Sequence, residues 1–242
     1  MRVFLSLVLI SLFISEWAFS QGGPPLVTDD PGTPGDGHWE INTALQWESD
    51  QASVIQLPLF DINYGYGDHL QLNLNMGYIT VPSTSGFSLA SLATKWRFLD
   101  EDTSGIAISI YPRIDFHSGL SSSDPLVNPV GSRTFFPIEF SKEFGRFGVN
   151  PEIGYATYSQ LSSEWSYGLA MSYAFEKDRE ILFEIHDRLN LSPTDNELLY
   201  NFGLRYSLNG KISFIGSTGK IVEAYPGEPF SWNVYLGFQL RL

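Results

Sequence analysis

Along most of the chain, apolar residues stand at every second position with polar ones between them. In HLQLNLNMGYI, residues 69 to 79, Leu70, Leu72, Leu74, Met76 and Tyr78 alternate with Gln71, Asn73, Asn75 and Gly77. Side chains alternate across a β-strand, so this stretch has one apolar face and one amide-lined face. The pattern marks twelve segments: 37–48, 53–66, 69–81, 86–99, 105–117, 132–144, 146–159, 164–176, 179–190, 196–208, 210–219 and 230–242. No stretch carries the 3.6-residue period of a helix. Residues 21–36, QGGPPLVTDDPGTPGD, hold four Pro and four Gly, a density that predicts an irregular N-terminal arm.

Strands with one apolar face suit either a soluble sandwich, which packs that face on a second sheet, or an outer-membrane barrel, which turns it to lipid. Three features favour the barrel. Most segments run eleven to fourteen residues, against about 5–6 in globular sheets and about 9–11 needed to cross a bilayer. The connections alternate in length. YGD, EDTS, EFGR, EKDR and LNGK are short, whereas the other set includes 118–131 and 220–229. Short periplasmic turns and longer outer loops are the barrel asymmetry. Finally, Trp39, Trp47, Trp96, Trp165 and Trp232 all fall on the apolar phase near segment ends, as in an interfacial aromatic girdle. The last segment stays in phase to Leu242. The expected fold is all-β: a closed antiparallel transmembrane barrel of about twelve strands over 37–242, preceded by the arm.

Pro58, Pro112, Pro137 and Pro151 fall inside segments and remove ladder donors, so bulges or shifted boundaries are expected there. Asp187 lies on the lipid phase, which requires a place at the outer interface.

Composition agrees with a membrane barrel. Residues 1–20, MRVFLSLVLISLFISEWAFS, read as a secretory signal with cleavage after Ser20. Its apolar run is shorter than the roughly 20 residues of a spanning helix, and no later run is longer. The net charge of −13 argues against nucleic acid, and the absence of cysteine excludes disulfides and Cys-ligated zinc. Charged residues are 17% of the chain and aromatics 15%. The expected location is the outer membrane of a Gram-negative bacterium, with outer-membrane lipid and the barrel-assembly machinery as partners and no cofactor.

Residues 24–42, PPLVTDDPGTPGDGHWEIN, resemble the opening of the MetA-pathway phenol-degradation family. The matching features are Leu26-Val27-Thr28-Asp29-Asp30, a Gly/Pro turn, Gly37, and Trp39-Glu40-Ile41-Asn42 at the first strand. The resemblance covers about a tenth of the chain. It implies an outer-membrane, transporter-like barrel with traffic in small molecules, aromatic ones among the candidates.

Phase also sorts the ionisable residues. Lys95, Arg97, Arg205 and Arg241 fall on the lumen phase near the periplasmic mouth, facing the acidic Asp29 and Asp30 of the arm. That opposition suggests an arm folded into the mouth as a plug. Glu184, His186 and Arg188 form the sharpest lumen cluster. They read either as an acid–base pair or metal site or, preferably, as a rung of the lumen's charge network. All four histidines, His38, His69, His117 and His186, fall on the lumen phase. That counts against a lipid-modifying enzyme, which needs a Ser–His pair at the lipid boundary. GSTGK at 216–220 and GFSLA at 86–90 are incomplete versions of a phosphate loop and a nucleophile elbow. The expectation is therefore a non-enzymatic barrel that passes or binds small molecules by passive diffusion, aromatic or hydrophobic ones among the candidates. A structural or adhesion barrel without solute flux is the alternative.

Overall fold

Strands with apolar outer faces pair edge to edge until the sheet closes on itself. The computed structural model describes residues 22–49, 53–87, 90–116, 132–191, 196–223 and 231–242. Residues 1–20, expected to be a leader, His117, loop 118–131 and most of loop 220–229 lie outside them. β1 (Trp39–Ser49) pairs with β2 (Ser53–Tyr66) on one side and with the last strand, β14 (Ser231–Arg241), on the other. Between them come β3 (Leu70–Val81), β4 (Thr84–Phe87), β5 (Ala90–Leu99), β6 (Ala107–Ile110), β7 (Arg113–Phe116), β8 (Arg133–Phe144) and β9 (Phe147–Tyr158). β10 (Glu164–Glu176), β11 (Arg179–Asn190), β12 (Glu197–Ser207) and β13 (Ile212–Glu223) complete the circuit. Every pairing is antiparallel. β4 and β5 both pair with β3, and β6 and β7 both lie between β5 and β8. These two short pairs each make one stave, so the wall is twelve staves around and has no free edge.

The boundaries depart from the periodicity at three places. The segment 86–99 is two strands, β4 and β5. The segment 105–117 breaks at Tyr111-Pro112, where proline has no N–H for the ladder; its carbonyl still accepts from the Thr94 N–H at 3.1 Å. β13 runs to Glu223, four residues past the expected end, in register with Glu197–Tyr200 of β12; Lys220 on the outer phase sits near the strand end, where a long cationic side chain can reach the interface. Pro58 lies at a register shift between Gln56 and Leu59, as expected of a bulge. Pro137 and Pro151 bring no register shift and stand opposite Gly154 and Leu169, but the β8–β9 pairing lapses between Glu139 and Lys142, beside Pro151. A single turn of helix, Glu101–Ser104, closes the turn between β5 and β6.

Burial is inside out. Leu72, Phe136, Phe202 and Phe238 are half exposed or more on the outer surface, while Lys95, Glu139, Glu184 and Asn42 are almost wholly buried within. Trp39, Trp96, Trp165 and Trp232 are each at least 40% exposed on the outer face. Water would disfavour such a surface and lipid suits it. The short turns gather at the end where the N-terminal arm enters.

Candidate functional site

An extended segment inside a barrel has no ladder to satisfy its backbone, so its N–H groups need partners from the wall. Residues 22–36 find them. Glu184 on β11 accepts from the Val27 N–H at 3.0 Å and the Thr28 N–H at 2.5 Å, and Glu152 on β9 accepts from the Asp29 N–H at 3.4 Å. The Asp30 carboxylate accepts from the Gly32 N–H. Arg205 donates to the Pro24 carbonyl at 3.1 Å and Ser217 to that of Pro25 at 2.7 Å. Leu26 packs on Ala170 and Leu182 of the inner wall. Prolines suit this path because they bring no N–H to be satisfied.

Charge fixes the middle of the arm. The Lys95 ammonium lies 3.0 Å from Asp29 Oδ1 and 3.4 Å from Glu139 Oε2, and also donates to the Asp30 carbonyl. The Tyr111 ring sits 4.6 Å from it. Burial pushes the Asp30 carboxyl upward, against the pull of Lys95. Toward the rim, Thr33 donates to the Asp68 carbonyl at 2.8 Å and Gly67 N–H to Asp36 at 2.7 Å. Two glycines make room. A Cβ on Gly65 would stand 1.9 Å from the Gly35 carbonyl oxygen, and one on Gly168 would stand 2.3 Å from Thr28 Oγ1.

The four basic positions near the mouth thus divide. Lys95 and Arg205 hold the arm. Arg97 pairs with Asp100 at 2.8 Å and Arg241 with Glu40 at 3.2 Å, both at the rim. A hydrogen bond from His69, aided by Arg97, holds the Asp100 carboxyl below its ordinary range. Glu184, His186 and Arg188 stand on successive inward positions of β11 but are not joined. Glu184 takes the arm and the Asn201 amide at 3.1 Å, His186 meets Ser166 at 3.0 Å, and Arg188 pairs with Glu197. Among the described residues, no group of His, Cys, Asp or Glu could hold a metal ion.

The alternation puts Glu152, Glu139 and Asp61 on the lumen side, as observed, but sequence reasoning missed that Glu152 and Glu139 meet the arm and its lysine. It also missed Gly168 and Gly65, although a glycine within a strand is the signal of a close backbone approach.

On the side of the long loops, the seated arm leaves a cavity of about 920 Å³. Val27 and Asp29 form its floor; Phe135, Tyr158, Arg113 and Arg133 line one wall, and Glu48 and Gln46 another. Arg133 lies 4.7 Å over the Phe135 ring, Arg113 lies 5.2 Å over it, and Arg133 bonds Glu164 at 3.2 Å. A second space of about 250 Å³ continues beside the arm along β1–β3. A third, of about 30 Å³, lies between the arm and the rim.

No protein-family model matches the chain, and no curated protein matches it by sequence. Solved structures do share its fold. The COG4313 outer membrane channel from Pseudomonas putida F1 superposes with a TM-score of 0.71 at 11% identity, over 88% of this chain and 98% of that one. The NanC porin gives 0.64 at 10% identity, over 84% and 100%. The KdgM porin gives 0.59 at 10% identity, over 82% and 98%. At such identities the likeness is one of architecture: the chain has the barrel of outer-membrane channels.

Proposed function

We propose that the chain is an outer-membrane channel through which small organic solutes diffuse passively, with the N-terminal arm as its plug. The observation that carries this reading is the vestibule of about 920 Å³, which lies inside a closed barrel and ends on a segment held by side-chain contacts alone. A structural barrel has no need of a lumen of that volume. The lining combines aromatic rings with guanidinium groups, which suits small molecules carrying an apolar or aromatic body and a polar group. The resemblance of residues 24–42 to phenol-degradation proteins points the same way. The outer fold of porins, the apolar exterior and the leader support a place in the outer membrane.

Proteoliposome flux tests the reading, measured with a panel of phenols, fatty acids, sugars and amino acids. The intact protein should pass small members of one class, and a barrel lacking residues 22–36 should pass more of all of them. Folded barrel that transports no solute in either form would instead be a structural or adhesion protein.

A further inference from the structure

The three spaces in the lumen adjoin one another. The vestibule shares Val27, Asp29, Gln46 and Arg113 with the 250 Å³ space, and that space shares Gly23, Pro24, Asp29 and Asp61 with the 30 Å³ one. The shared residues set the three spaces in series beside the seated arm, along β1–β3. At its narrowest this series holds a few waters, which admits small ions and excludes organic solutes.

Its charge is one-sided. Asp29, Asp30, Glu40 and Asp61 line the narrow space, against Lys95 as the cation. Lys95 is already matched to Asp29 and Glu139, and Glu40 to Arg241. Asp61 differs: its oxygens accept from the amides of Asn42, at 3.0 Å, and Asn73, and among the described residues it forms no ion pair. A second observation comes from the wall of the 250 Å³ space. Asn201 lines the 250 Å³ space at 2% exposure, gives its amide N–H to Glu184, and leaves Oδ1 without a donor. A carboxylate and an amide oxygen lining one space are the donor chemistry of a hard cation in transit, not of an anion. Arg113 stands at the upper end of the route, 3.6 Å from Asp115, where it offsets that carboxylate without reaching the narrow level.

We infer that the gap beside the seated arm is a conduit for water and small inorganic cations, and that Asp61 sets its preference for cations over anions. This rests on the channel reading above and gives the arm-closed state its own conductance. The full-length protein is reconstituted in planar bilayers under a KCl gradient, and the reversal potential is read. Potassium should be preferred over chloride by roughly fivefold or more, since a charged, narrow passage concentrates counter-ions strongly. Asp61→Asn, which keeps the shape, removes the charge and gives up one of the two acceptor oxygens, should bring the ratio close to unity, and Asp61→Glu should restore it. Asp178→Asn, in an exposed turn, should change nothing. A chloride preference, or a ratio indifferent to Asp61→Asn, overturns the inference while leaving the channel standing. Absence of any current from protein shown to be folded by its heat-modifiable gel shift overturns both.

Discussion

Leu74 and Asn73 are neighbours on β3 and meet opposite solvents. Leu74 faces outward near mid-strand; Asn73 is buried in the lumen, where its amide reaches Asp61 and lies 2.8 Å from Asn63 Oδ1. Leu74→Arg places a charge toward lipid and should cost about 2–4 kcal/mol. Asn73→Arg places the same charge beside Asp61 and should leave folding nearly intact. Urea titration of both variants in lipid vesicles decides the matter; equal losses would mean that the phase is misassigned. This part of the structure was legible residue by residue, because a period of two leaves each side chain only two places to point. The partner of a lumen residue was not. Glu184 lies 156 residues from Thr28, whose N–H it accepts, and no local pattern connects them.

At the scale of the element, the strands were legible and their interruptions only partly so. Proline shifts the register at Pro58, interrupts a strand at Pro112, and leaves the register in place at Pro137 and Pro151, although the β8–β9 ladder lapses beside Pro151. Sequence marks the residue but not which neighbour its nitrogen faces. The closing strand makes a sharper prediction. Trp39 and Leu242 exchange both backbone hydrogen bonds, each at 2.9 Å, and the Arg241 N–H reaches the Lys211 carbonyl at 2.8 Å. Deleting Leu240 to Leu242 takes away the last rungs of the β1–β14 seam and one rung with β13. In lipid an unpaired rung has no water to replace it, so closure should fail. The truncated protein should lack the heat-modifiable gel shift and remain outside the membrane fraction; normal insertion would show that the seam tolerates an open end.

For the molecule as a whole, the question is whether the arm moves. Nothing covalent holds it, and its seat mixes strong buried contacts at Lys95 and Glu184 with single hydrogen bonds nearer the rim. The sequence indicated the arm's acidity and the basic mouth, but its depth depends on glycines whose role appears only when the far wall is in place. Those glycines also allow the test. A Cβ built on Gly168 stands 3.0 Å from Thr28 Cβ, a few tenths of an ångström short of the roughly 3.5–4.5 Å a disulfide spans. The chain contains no cysteine, so Thr28→Cys with Gly168→Cys gives a single defined cross-link. Oxidised, that variant should keep the small potassium current of the closed state and lose the flux of organic solutes. Reduction should return the flux. The pairing works because the two permeants are assigned different routes: ions pass beside the arm, and organic molecules need the space it occupies. If the oxidised barrel, with its cross-link verified, passes organic solutes as fast as the reduced one, the arm is a fixed lining of the pore and the solute path must run past it.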